Sequence, residues 1–481
     1  MNRRTVFINT ASQILVRLVT LGFTLISIKL LTNYLGVDGV GEYNTITTYV
    51  NFFIVIADLG LFSVTVREIA KNPDSEKKIL ANVLVIRIIS ALAACLIAIL
   101  IILLSKYRGD NNIVFGTIIA CGFLFFNLLG SVYDIILQYR LKMQFSALAE
   151  FLSKIISIIA LIIVIRFHGN FLLIMSTIAL SGLMIFLFKW LFSTRFTKFG
   201  ISYNKKIADW IFNMAWPIGV VFIISNLFFK LDTLMLFVIK GAAAVGIYSV
   251  AYKILEVSIF FGSYFASSLK PIISSHIEKD KNYLKGLVSK SISVMLFLGL
   301  PISIISFVFS REIIIFLSNE SFISGSRALV FLAFTLPIIY IDILLAEILI
   351  AADERKLLLR ISVFILLFNF VCNLILIPKY SFMGGAYGTF LSQIVLLVID
   401  YHYTKKIIKY RLDYMMILRI CLISFLSVVL AIVLKTFLPL HFLILSFVVI
   451  SFYLFLAYCF KIITKDSIQS IAQKEKTNAK S

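Results

Sequence analysis

Lys253 and Glu256 stand in the middle of "KGAAAVGIYSVAYKILEVSIFFGSYFASSL", a stretch that is otherwise almost uncharged. Read as a helix, it places Ser249, Lys253, Glu256, Phe260, Ser263 and Ser267 on one face, at steps of four and three residues. Comparable polar stripes recur elsewhere: Gln13, Arg17, Thr20, Thr24 and Ser27, with Lys29 beyond them, then Asn44, Thr48, Asn51, Val55 and Asp58. Asn226 and Lys230 lie four apart and are followed by Asp232, while Arg87 and Lys154 are two further cations in apolar surroundings. Charges inside an apolar helix are expensive and turn toward protein or water. A row of cations edged by hydroxyls and amides suits the recognition of an anionic, amphipathic substrate.

Bland readings compete with this one. Lys253 with Glu256 could be a self-satisfying local ion pair, Lys230 beside Asp232 could snorkel, and Lys154 has Glu150 one turn away. Arg17 has no acid in its own span, and Arg87 is balanced between snorkelling and lining a cavity. Asp58, Asp232, Glu256 and Asp342 are candidates for proton or sodium coupling, with structural pairing as the alternative for each. Other chemistries find little support. There is no HExxH, no DxD and no GxxxxGK[ST] loop, and the four histidines (168, 276, 402, 441) are scattered. Catalytic residues, a metal site and a bound cofactor are therefore not expected, and the five cysteines read as buried free thiols.

The elements that must hold these residues follow from composition. Of 481 residues, 61% are hydrophobic and 14% charged, with a mean hydropathy of +1.02. Apolar stretches long enough to cross a bilayer number about fourteen, centred near 21, 54, 91, 125, 156, 182, 220, 256, 299, 338, 367, 393, 425 and 450. The fold class expected is an all-α polytopic membrane protein. The net charge of +21 falls largely in alternate connections, the positive-inside pattern that puts both termini in the cytoplasm and excludes a nucleic-acid partner. The basic start, interrupted by Arg17, reads as an uncleaved first span.

Two internal matches set the architecture. A shift of 205 aligns Gly36 with Gly241, Gly41 with Gly246 and Tyr43 with Tyr248, and a weaker match at a shift of 212 pairs "QFSALAEFLSKIISIIALIIVIRFHGN" with "KLLLRISVFILLFNFVCNLILIPKYSF". Six spans separate matching points, so the halves are parallel repeats with a central cavity between two lobes. The expected divisions are 1–199 (spans one to six), 200–408 (seven to twelve), 409–464 (two appended spans) and a cytoplasmic tail, 465–481. Pro217, Pro301 and Pro337 fall in second-half spans and are expected to kink them.

"YLGVDGVGEYNTITTYVNFFIVIADLGLFSVTVREIA", "DTLMLFVIKGAAAVGIYSVAYKI" and "NLILIPKYSFMGGAYGTFLSQ" resemble bacterial polysaccharide-biosynthesis flippases, the Wzx-type exporters of O-antigen and capsule repeat units. They belong to the superfamily that includes MATE drug exporters and lipid II flippases. The resemblance covers the first twelve spans in order. It implies translocation of an undecaprenyl-pyrophosphate-linked oligosaccharide to the outer leaflet of the bacterial inner membrane, by alternating opening of two lobes. Membrane lipids and the polysaccharide polymerase machinery are the partners it implies. Carried onto matching spans, the family's cationic cavity falls on Arg17, Lys29, Lys230 and Lys253, with Arg87 as a further cation; Asn51, Thr20, Thr24 and Ser249 are the accompanying polar groups. A lipid II flippase and a cation-coupled drug exporter of the same fold are the alternatives; four cavity cations disfavour the cationic substrates of the latter. A membrane-embedded polysaccharide enzyme is the remaining, weaker reading.

Overall fold

The structure is a computed structural model that describes residues 3–277 and 279–462, leaving out the side chains of residues up to 15 and of 17, 18, 218, 221 and 225. Its elements are helices: α1 (Arg3–Asp58), α2 (Leu61–Lys71), α3 (Glu76–Leu104), α4 (Asn111–Tyr139), α5 (Met143–Arg166), α6 (Phe171–Ser193), α7 (Lys205–Lys240) and α8 (Ala242–His276). They continue with α9 (Lys281–Val308), α10 (Ser310–Leu317), α11 (Gly325–Ala351), α12 (Arg355–Tyr380), α13 (Phe382–Ile408), α14 (Tyr414–Phe437) and α15 (Phe442–Cys459). Short polar caps start many of them where the chain leaves apolar surroundings. Asp110, Asn170, Asn204, Asp280 and Asp413 accept hydrogen bonds from the first-turn amides of α4, α6, α7, α9 and α14.

Among the described residues, thirteen helical stretches are long and apolar enough to cross a membrane. The first, Val19–Lys71, runs for 53 residues, about 80 Å at 1.5 Å per residue, which is enough for two passes of a roughly 30 Å core. Gly36 divides it, at φ 66° and ψ −170°, a backbone conformation open essentially to glycine alone. The sequence-derived first and second spans are the two halves of this broken helix. Gly241, 205 residues on, has the same conformation, φ 83° and ψ −175°, between α7 and α8. The weaker repeat has a backbone signature too: Leu141 and Asp353, 212 apart, both adopt positive φ in the turns that open α5 and α12.

Packing gathers the described chain into two compact units. One holds residues up to 250 together with 316–322 and 370–385; the other holds 251–315, 323–369 and the chain from 386 onward. A core of the first unit is built from Leu61, Ile69, Leu80, Val83, Val132, Ile136 and Ile211, which joins α2, α3, α4 and α7. In the second, Ile304 and Phe309 of α9 and its C-cap pack with Ile423 and Ala431 of α14 and with Leu445, Val449 and Tyr453 of α15, so the two helices beyond the repeats are seated on α9. α11 is tied to α8 by the Tyr340 hydroxyl, which donates to Ser258 O at 2.5 Å, and to α9 by Ser303, which donates to Ala333 O at 2.7 Å. Large apolar side chains such as Leu104, Phe437 and Phe447 are uncovered along the helices, as a lipid solvent requires. All five cysteines are free, but only Cys121 is buried; Cys95 and Cys372 are half-buried and Cys421 and Cys459 exposed, a correction to the expectation of buried thiols. Pro217, Pro301 and Pro337 lie inside α7, α9 and α11.

Candidate functional site

Lys253 is about 16 Å along α8 from its start at Ala242, deep within a helix of membrane-spanning length. Its ammonium meets Glu256 Oε2 at 2.6 Å, and the two side chains are 32% and 27% exposed. The local pair therefore forms, yet neither member is packed away. Charged groups at such a depth are costly against hydrocarbon and usually turn to protein or water. One turn toward the start of the helix, Ser249 donates to Gly246 O at 2.9 Å and accepts from Asn44 Nδ2 at 3.0 Å.

Asn44 and Ser249 are repeat mates, and the contact between them is one of a symmetric set. A Cβ placed on Gly41 would collide with Ala242 O, and one on Gly246 would collide with Val37 O. Val37 and Ala242 are themselves 205 apart, so the second part of α1 and the start of α8 cross glycine to backbone, each presenting the same pair of positions to the other. Close backbone approach of this kind needs small residues at the crossing, and it is what the paired glycines supply.

Along α1, Lys29 is half-buried and donates to Ser318 O. Thr20, Thr24 and Ser27 donate to the carbonyls four residues earlier, at 2.8, 2.9 and 3.0 Å, which leaves their lone pairs for an incoming donor. The Arg17 side chain lies outside the described residues. Asn51 is exposed and donates to Thr47 O at 2.8 Å.

Other candidates are built into packing. Arg87 is fully buried and pairs with Asp58, whose second oxygen accepts from Gly60 N at 3.1 Å. This pair pins the break between α1 and α2, where Leu59 and Gly60 take positive φ and where Gly219 of α7 comes up against the Leu59 backbone. Neither the snorkelling nor the cavity reading of Arg87 anticipates a partner 29 residues away. Asp232, 3% exposed, accepts from the Tyr248 hydroxyl at 2.9 Å and from Asn373 Nδ2 at 3.4 Å; Lys230, two residues earlier, is half-buried. Asp342 lies against Asp400 of α13, both buried, each with one carboxylate oxygen that no donor reaches.

Sequence reasoning missed Lys189, Asp134 and Asp400. Lys189, 5% exposed on α6, pairs with Asp134 of α4 and reaches Glu150 of α5 at 3.5 Å. Helical spacing reveals partners three or four residues apart. Pairs formed between helices leave no such periodic signal.

Comparisons with known proteins fit this geometry. A family profile described as "Polysaccharide biosynthesis protein" matches residues 6–277, and a second, described as MatE, matches residues 217–375. The capsular polysaccharide biosynthesis protein CapF of Staphylococcus aureus is 23% identical over 378 residues, 77% of this chain and 92% of that protein. The probable low-salt glycan biosynthesis flippase Agl15 of Haloferax volcanii is 26% identical over 254 residues, 51% of this chain and 54% of that protein. Among solved structures, the lipid II flippase MurJ in an inward closed conformation superposes with a TM-score of 0.77 at 18% identity, covering 93% of this chain and 98% of that one. An inward-facing multidrug resistance MATE family transporter gives 0.65 at 15% identity, over 80% and 94% of the two chains. The fold is shared with these two transporters. With a family profile matching more than half its length, on a helical framework shared with MurJ and the MATE exporters, the chain belongs to the polysaccharide biosynthesis protein family and is a multi-pass membrane protein.

Proposed function

We propose that this protein is a flippase for a lipid-linked oligosaccharide. Its substrate class is an undecaprenyl-pyrophosphate-linked repeat unit, carried from the cytoplasmic to the outer leaflet of the bacterial inner membrane by alternating access through a cationic central cavity. The working parts are the two lobes, 1–199 and 200–408, with 409–464 appended and both termini cytoplasmic. The observation that carries this reading is the partly exposed Lys253 and Glu256 pair, deep in a membrane-spanning helix of a polysaccharide biosynthesis family member. A pyrophosphate crossing a low-dielectric slab needs fixed cations to replace its water, and Lys253, Lys29, Lys230 and Arg17 are the residues proposed to meet it. Thr20, Thr24, Asn51 and Ser249 exchange hydrogen bonds with the sugars.

Outward movement of an anion is favoured by an inside-negative potential, by about 2.3 kcal/mol per charge per 100 mV. Beside this voltage term we place proton coupling at Asp342 and Asp400, since two buried carboxyls in contact cannot both be ionised without large cost. Asp232 is the corresponding candidate for a sodium ion.

The test is made in cells. Lys253→Ala and Arg17→Ala, with protein level and membrane insertion verified, are expected to accumulate lipid-linked repeat units at the inner leaflet and to reduce export at least tenfold. Normal export from both variants would remove these cations from the substrate path.

A further inference from the structure

The first unit contains a cavity of about 270 Å³ among α1, α3, α4 and α7, with Tyr49, Ile102, Ile113, Thr117, Leu234 and Phe237 in its wall. Four of its hydroxyls turn their protons to backbone carbonyls rather than into the space. Thr45 donates to Gly41 O at 2.8 Å, Tyr49 to Ala98 O at 2.9 Å, Ser105 to Ile102 O at 2.7 Å and Thr117 to Ile113 O at 2.7 Å. A water needs two to four polar partners, and an apolar cavity of roughly 150 Å³ stays dry and takes up hydrocarbon. This larger pocket is half open and its exposed wall is almost wholly apolar, which suits it to hydrocarbon.

Its rim says which hydrocarbon. Ile101 and Val238 are 47% and 55% exposed beside it, on helix faces of a membrane-spanning chain. In the same wall the Tyr107 ring lies 4.8 Å from the Phe237 ring, joining α7 to the turn that follows α3. Lys106 donates to Val238 O at 3.0 Å and lies 5.2 Å from the Tyr107 ring. An ammonium has three donors, so two remain after the Val238 contact. Residues 88–104 carry no charge, which makes Lys106 the first cation past the apolar run and sets it at headgroup depth.

We propose that this cavity binds one acyl chain of a membrane phospholipid with an anionic headgroup, whose phosphate meets Lys106. The site is separate from the intramembrane cations of α1, α7 and α8 and does not depend on the flippase reading. Its occupant is a resident lipid that ties α7 to α3 and α4.

Photolabelling tests it. The intact protein is reconstituted in phosphatidylcholine nanodiscs carrying trace phosphatidylglycerol or phosphatidylcholine with a diazirine in the acyl chain, and adducts are mapped by mass spectrometry. Adducts are expected to concentrate on residues 101–117 and 234–238, with phosphatidylglycerol favoured at least fivefold. Lys106→Glu is expected to bring that ratio close to one. Ile102→Trp, which fills the cavity, is expected to remove labelling there while that around the exposed Phe447 persists, with a thermal melt confirming the fold. Adducts no denser than those around Phe447, or a wild-type ratio near one, would overturn the proposal. So would preferential labelling by a diazirine polyprenyl phosphate, which would assign the cavity to an isoprenoid chain instead.

Discussion

At the scale of residues, the charged groups divide by burial. Arg87 and Lys189 are enclosed and paired across helices, whereas Lys253 keeps a third of its side chain uncovered despite its partner. Removing one member of a buried pair leaves an uncompensated charge, which typically costs 3–5 kcal/mol. Arg87→Met is therefore expected to lower stability by about 3 kcal/mol, the low end because Asp58 is partly exposed. Adding Asp58→Asn should recover most of the loss. Thermal melts of the parent, the single variant and the double variant check this, and a single variant as stable as the parent would refute it. Asp342→Asn keeps a donor toward Asp400 and is expected to preserve folding while abolishing the dependence of flipping on a proton gradient. Unchanged dependence would place coupling elsewhere. The mid-span cations were legible in the sequence because a lysine amid apolar residues stands out. Arg87's partner was not, since Asp58 approaches it only through the break at Leu59 and Gly60.

At the scale of elements, the crossing of α1 and α8 is the feature both repeats share. Its glycines were visible as matches at a shift of 205, and the structure supplies the reason: Gly36 and Gly241 take a backbone conformation closed to other residues, while Gly41 and Gly246 admit a facing carbonyl. Gly41→Val or Gly246→Val is expected to cost about 1–3 kcal/mol through overpacking, read as a lowered melting temperature. Asn44→Cys with Ser249→Cys, whose parent side chains touch at 3.0 Å, is expected to form a disulfide under mild oxidation. Failure to crosslink in the folded protein would contradict the crossing. The turns at Leu141, His168, Asp353 and Ser381 were illegible because they place ordinary residues at positive φ, without the glycine that usually marks such a site.

At the scale of the whole molecule, hydropathy and the distribution of basic residues were enough for an all-helical, multi-pass chain, because a bilayer permits few alternatives to apolar helices. The compact units were not readable. Packing places residues 316–322 and 370–385 with the first part of the chain, which depends on contacts between segments far apart in sequence. Nor was it evident that α14 and α15 rest on α9, where Tyr453 donates to Phe297 O at 3.1 Å. The role proposed for the polar faces of α1, α7 and α8 is to carry an oligosaccharide pyrophosphate through the membrane. The most direct measurement is transbilayer movement of a fluorescent undecaprenyl-pyrophosphate oligosaccharide in proteoliposomes of the purified protein, read by quenching with an impermeant reductant. The expected result is movement at least tenfold faster than in protein-free vesicles and slowed about tenfold by Lys253→Ala. Movement no faster than in protein-free vesicles, with the protein folded and inserted, would contradict the claim.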